Sequence, residues 1–280
     1  MKRYTGEKLT KRQYILGESP AYDPERDVLS WVDVKGCRLC KRSPGGTITE
    51  TEVGQNIGAA VPMKNGNYFG ALTTGLYEIA DNGICFVCRP QGFLDGQRAN
   101  DAKVDPSGRL WFGTMSLFAG GTGDLYLFDG KRCSCRLRGT GVSNGMAWSP
   151  DKEKMYYIDT LTGRVDVFDY RDGTGEISGR RPCVSVKEGL PDGMTIDREG
   201  MLWVALWGAG CVARYHPATG KMLAKVELPT PNVSSCCFAG KNLDVLTITT
   251  SAEGIEGSDA GCVYCAHVDT CGIPERYPAC

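Results

Sequence analysis

Four oxygen-bearing side chains recur at one place in a repeating pattern, each five residues before the Asp or Ser that opens a turn. Glu18 precedes Asp23-Pro24, Asn100 precedes Asp105-Pro106, Asn144 precedes Ser149-Pro150 and Asp192 precedes Asp197-Arg198. Two carboxylates and two amide carbonyls form a hard, all-oxygen donor set, suited to one divalent ion such as Ca²⁺, Mg²⁺, Mn²⁺ or Zn²⁺. Two negative charges balance such an ion, which is otherwise costly to desolvate. No His or Cys shares the register, so the softer donors that signal zinc most directly are missing. Taken singly, Asn144-Gly145, Asp192-Gly193 and Asn100-Asp101 read as ordinary turn dipeptides. The offset shared by four separate segments is what argues for convergence on one point.

The elements that would position these side chains are visible as a repeat. A strand-like core starts at residues 29, 67, 110, 155, 202 and 243, as in Leu29-Ser-Trp-Val-Asp, Leu110-Trp-Phe-Gly-Thr and Leu202-Trp-Val-Ala-Leu. A second apolar run follows each core, and turns such as D-P-S-G, D-R-E-G and D-N-G punctuate the units. A period near forty with several short strands per unit marks a β-propeller, because one four-stranded blade uses about that many residues. The expected fold is therefore all-β: a six-bladed β-propeller with four-stranded antiparallel blades, one domain over residues 1–280. Equivalent positions then converge on the channel axis. Two units carry only small residues there, Gly58-Ala59 and Val233-Ser234, and leave those sides open. The chain ends soon after the sixth unit's second run, so the N-terminal segment is expected to supply a closing strand to the last blade.

Composition excludes several function classes. Thirty-two basic and thirty-three acidic residues leave a net charge of −1 with no basic run, which argues against nucleic acid. No apolar stretch is long enough to span a membrane, and the N-terminus lacks a secretory signal, so the expected compartment is the cytoplasm. Fourteen cysteines include the C-x-x-C pairs Cys37/Cys40, Cys85/Cys88 and Cys262/Cys265. Residues three apart in a strand point to opposite faces, so these pairs are read as free, mostly buried thiols rather than a zinc site. His216 and His267 fall in second-run segments toward the blade periphery and are read as structural.

With these residues in view, the chain resembles the SMP-30/gluconolactonase/LRE family along nearly its whole length. The marks are L-G-E-S-P (16–20), R-x-N-D-A-K-V-D-P-x-G (98–108), G-T-M (113–115), S-N-G-M-A-W-S (143–149), P-D-G-M-T-I-D (191–197) and S-C-C-F-x-G-K-N (235–242). The resemblance implies that Glu18, Asn144 and Asp192 ligate the metal directly, and that Asn100 lies beside it, through water or against substrate. It implies too that Arg98, otherwise an exposed loop arginine, hydrogen-bonds the substrate. The activity implied is metal-dependent opening of a sugar-acid lactone, with Asp192 as catalytic base, by a monomer or weak dimer. Two alternatives use the same oxygens: a calcium-binding regulator without turnover, and a metal-dependent phosphotriester or aryl-ester hydrolase. One departure stands out. Relatives carry acidic residues after G-T-M, whereas here the segment 116–121 reads S-L-F-A-G-G, without a carboxylate.

Overall fold

Six runs of apolar, β-branched and aromatic residues form the second strands of six sheets: Val28–Asp33, Tyr68–Leu72, Leu110–Ser116, Lys154–Asp159, Leu202–Trp207 and Val245–Thr250. They read as near-continuous apolar segments because each sheet is packed on both faces by its neighbours. The structure, a computed structural model, describes residues 1–279. Its sheets are six antiparallel blades around a channel, the six-bladed propeller that the repeat predicts. The inner strands are Gly17–Asp23, Ile57–Pro62, Gln97–Val104, Ser143–Trp148, Leu190–Ile196 and Val233–Ala239. Each begins at one mouth of the channel and ends at the turn that opens the second strand.

The ring closes through the N-terminus. Glu7–Lys8 pairs antiparallel with Tyr264–His267 and completes the last blade, as expected from the missing fourth strand. A further pairing has no counterpart in the repeat: Lys2–Thr5 lies parallel to Met222–Glu227 and adds a fifth strand to the preceding blade. One short segment thus covers two exposed edges. The far mouth is crossed by the C-terminal strap. Gly272 donates its N–H to Leu243 O (2.7 Å), Tyr277 Oη donates to Asp23 Oδ1 (2.5 Å) and Ala279 N–H to Gly108 O (2.8 Å). Glu275 reaches Lys103 in the channel at 2.8 Å.

Two sequence expectations need adjustment. The sixth core begins two residues late, because Leu243 occupies the turn with φ 54°. The thiols are less buried than expected: of thirteen described, only Cys40, Cys211, Cys236, Cys237 and Cys262 are fully buried, and Cys85 is exposed. Cys37 sits in a turn with φ 55° rather than in a strand. Cys88 and Cys133 bring their sulfurs within 3.0 Å across two neighbouring blades, a pairing that no local motif announces. His216 and His267 lie at the ends of third strands, away from the axis. No helix among the described residues is long and apolar enough to cross a membrane.

Candidate metal and active site

Each predicted ligand stands at or beside a break in the ladder of its inner strand. Pairing with the second strand shifts between Glu18 and Ala21, between Ala99 and Ala102, between Ser143 and Met146, and between Pro191 and Met194. A bulge frees one or two residues from the pleat and re-aims their side chains, here toward the axis. Asn100, Asn144 and Asp192 lie within such breaks, and Glu18 borders one. Ser19, the residue after Glu18, holds φ 47°, a strained value for a non-glycine, and donates its N–H to Glu18 Oε2 at 3.0 Å.

The dipeptides Asn144-Gly145 and Asp192-Gly193 are not turns; both lie inside inner strands. Their glycines are needed where blades meet. A Cβ on Gly145 would fall 2.7 Å from Asp192 O, and one on Gly193 would fall 2.1 Å from Ser235 Oγ. Gly58 plays the same part in one of the two open units, where a Cβ would stand 2.3 Å from Asn100 O. These small residues let neighbouring strands close on the axis.

The side chains converge as follows. Asn144 Nδ2 donates to Thr160 Oγ1 at 3.0 Å and, in a short contact, to Asp192 Oδ1. Both amide protons are then committed, and Asn144 Oδ1 is left buried without a partner. Such an orphaned acceptor costs about 1–3 kcal/mol, which a cation in reach would offset. Asn100 Nδ2 donates to Ser143 O at 3.0 Å, which fixes that amide to the next blade. Arg98 is 8% exposed, not on the surface, and among the described residues its only side-chain hydrogen bond runs from Nη1 to Ala99 O (2.9 Å). Burial lowers its pKa, while Glu18, Asp192 and Glu253 act to keep it charged.

One member was overlooked in the sequence. Asp101 is 7% exposed, shares the ladder break with Asn100, and receives Ala102 N–H at 2.8 Å. Burial pushes its pKa up to about 6, partly countered by Lys103. The R-x-N-D motif contains it, but nothing in the spacing shows that the ladder breaks over two residues and frees both Asn100 and Asp101 from the pleat. Burial pushes Asp192 up to about 8, with Asn144 pulling it down and Asp101 pushing it further up. Glu18 is driven well above the usual carboxylate range by burial, then by Asp192 and Asp101.

Three negative groups with one buried arginine leave an excess that a divalent cation would neutralise. Glu18, Asn144 and Asp192 therefore fit such an ion. No cluster of three or more His, Cys, Asp or Glu with ligand geometry occurs among the described residues, so the amide of Asn144 is essential to the set. Directly below, Ser19, Asp101, Lys103, Ser235 and Glu275 line a cavity of about 20 Å³, room for a single water. The larger cavity, about 370 Å³, lies at the far mouth beneath the strap and includes none of the predicted ligands.

The raised carboxylates give a signed prediction. A group whose folded pKa exceeds its unfolded value stabilises the fold at low pH and loses that contribution as pH rises through the folded pKa. The metal-free protein is therefore expected to melt at a lower temperature at pH 8 than at pH 6. Added cation must displace protons from Glu18 and Asp192, so its affinity rises over the same interval. Calorimetric titration in two buffers of different ionisation enthalpy checks the proton release; an affinity independent of pH would refute it.

A family model for the SMP-30/gluconolactonase/LRE-like region matches residues 16–252. The chain is 34% identical to regucalcin of Xenopus laevis over 255 residues, 87% of this chain and 85% of that one. It is 35% identical to regucalcin of Danio rerio, covering 91% of each. Among solved structures, a luciferin-regenerating enzyme superposes with a TM-score of 0.92 at 30% identity, over 98% of this chain and 99% of that one. A calcium-binding regucalcin from Agrobacterium tumefaciens gives 0.93 at 24% identity over 100% and 99%, a likeness of fold.

Proposed function

The chain belongs to the SMP-30/gluconolactonase/LRE-like family, and from that premise we propose that it is a metal-dependent lactonase. The observation that carries the reading is the orphaned Asn144 Oδ1 beside the buried carboxylate of Asp192, with Glu18 and the buried Arg98, which makes a single side-chain hydrogen bond, in electrostatic reach of Asp192. A divalent cation held by Glu18, Asn144 and Asp192 would polarise the lactone carbonyl and stabilise charge developing on its oxygen.

The chain's own residues supply the rest. Arg98 donates to ring or hydroxyl oxygens of the substrate, and Asn100, its amide nitrogen fixed to Ser143 O, offers its carbonyl oxygen. Asp192 accepts the proton of the attacking water. Its Oδ1 is engaged by Asn144, so Oδ2 is the atom that takes the proton. Burial first, and then the charge of Asp101, oppose ionisation of Asp192, and both work against the lowering of its basicity that a bound cation would bring. As the ester C–O bond breaks, that proton passes to the leaving alkoxide, giving the hydroxy acid.

A calcium-binding protein without turnover would use the same three ligands but has no need of a buried arginine facing them. The deciding experiment is a pH-indicator assay over a panel of lactones, aryl esters and phosphotriesters, using metal-stripped protein with Ca²⁺, Mg²⁺, Mn²⁺ or Zn²⁺ restored singly. Hydrolysis of lactones that returns with one ion is expected. Tight metal binding with no turnover on any lactone would sink the lactonase.

A further inference from the structure

Ten large apolar side chains are conspicuously exposed, and six of them, Ile15, Leu94, Leu117, Phe118, Leu161 and Leu190, lie on connections at the mouth where the inner strands begin. Isolated exposed leucines need no explanation, but a cluster around a functional opening does. Five of the six belong to the loops and strand starts of the third, fourth and fifth blades, and four of them lie against or within two residues of a segment that carries a site residue. Leu117 donates its N–H to Gly96 O at 2.7 Å. The Phe118 ring covers Gly96, whose absent Cβ would stand 2.3 Å from Cε2, two residues before Arg98. Leu161 directly follows Thr160, the acceptor of Asn144 Nδ2, and packs over Gly141. Leu190 opens the strand that carries Asp192 and pairs with Trp207. That indole packs on the Leu16, Val32, Ile57 and Leu72 cluster of the first two blades, so it crosses the head of the sixth blade at the same mouth.

Across the opening, on the first and sixth blades, the exposed pair Lys35–Glu253 stands near a single exposed apolar residue, Ile15, so the apolar side chains concentrate on the third to fifth blades. Segment 116–121 has only the Ser116 hydroxyl to offer a polyhydroxylated ligand, and that group is bonded to Phe118 N–H and O (both 3.0 Å).

Resting on the lactonase reading, we propose that the substrate is a lactone bearing an apolar alkyl or aryl substituent. Its ring carbonyl sits at the axis, and the substituent lies on Phe118, Leu161 and Leu190. These side chains determine specificity without touching the reacting atoms.

The test compares δ-gluconolactone with δ-decalactone on the metal-restored enzyme, for the natural chain and for Phe118→Ser and Leu161→Asn. Both positions are exposed, so unchanged melting temperatures are expected. The natural chain should favour δ-decalactone in kcat/KM by about tenfold or more, the scale on which apolar pockets discriminate. Each variant should lose roughly threefold to tenfold on δ-decalactone, carried by KM, with δ-gluconolactone changed by less than about twofold. Preference for δ-gluconolactone, or equal losses on both substrates, overturns the apolar rim and leaves the lactonase intact. Failure to hydrolyse either of these two substrates with every ion overturns the apolar rim, and the wider lactone panel then decides the lactonase reading.

Discussion

Asp192→Ala abolishes lactone hydrolysis, lowering kcat/KM by at least about a thousandfold, because one substitution removes both a ligand and the proton acceptor. The two roles separate in Asp192→Asn. An amide keeps an oxygen for a cation and a partner for Asn144, but takes no proton. That variant is expected to retain measurable metal binding while its turnover stays near the alanine value. It should also raise the melting temperature of the metal-free protein at pH 8, since a buried carboxylate with a pKa pushed to about 8 no longer has to ionise beside Glu18 and Asp101. Loss of activity with a gain in stability cannot be confused with misfolding. Substantial hydrolysis by Asp192→Ala would exclude Asp192 from the chemistry.

The register that exposed this site has a physical origin. An inner strand spans a fixed height from the candidate-site end to its turn, so five residues separate Glu18 from Asp23, Asn100 from Asp105 and Asp192 from Asp197. Repetition makes that distance legible in a single chain. The blade count and the closing strand at Glu7–Lys8 follow from the same arithmetic, since a ring of strands must complete its last sheet. What depends on departures from the repeat was not legible. Asp101 faces inward only because the ladder breaks over two residues, and no periodicity shows where a break falls. The parallel strand Lys2–Thr5, the contact between Cys88 and Cys133, and the strap that brings Glu275 to Lys103 join segments far apart without a local signature. Asn-Gly and Asp-Gly, taken singly, are ambiguous, and only the shared register turns the reading toward the site. A turn and a close approach of two backbones both demand glycine, and sequence alone does not distinguish them.

The same turn residues carry the largest stability prediction. Asp105 is wholly buried and accepts five hydrogen bonds: Ser107 N–H (3.0 Å), Arg109 N–H (2.9 Å), Arg109 Nε (2.7 Å), Trp111 Nε1 (2.9 Å) and Tyr170 Oη (2.8 Å). Asp197 repeats the arrangement with Trp203 Nε1 (2.9 Å) and Arg214 Nε (2.7 Å). Where the tryptophan is displaced, the device fails: Trp31 is eight residues after Asp23 rather than six, and its indole N–H is buried without a partner. Asp105→Ala would leave an indole N–H and two backbone N–H groups without partners and remove the carboxylate from a mostly buried guanidinium, which keeps only Tyr170 Oη and Asp172 O. Breaking a buried ion pair from one side costs about 3–5 kcal/mol. For a chain of this size that is a fall in melting temperature of roughly 5–9 °C. Asp105→Asn keeps an acceptor for the turn and the indole while losing the charge opposite Arg109, so it should fall between the two. Ser149, which replaces the aspartate in the fourth blade and engages neither an arginine nor a tryptophan, should cost only about 1 kcal/mol on change to Ala. Asp105 stands at the far end of its strand from the proposed metal site, so the folded variant should match the natural chain in cation binding and in lactone turnover under the proposed function. A variant that melts normally would show that the aspartate marks the repeat without holding it together.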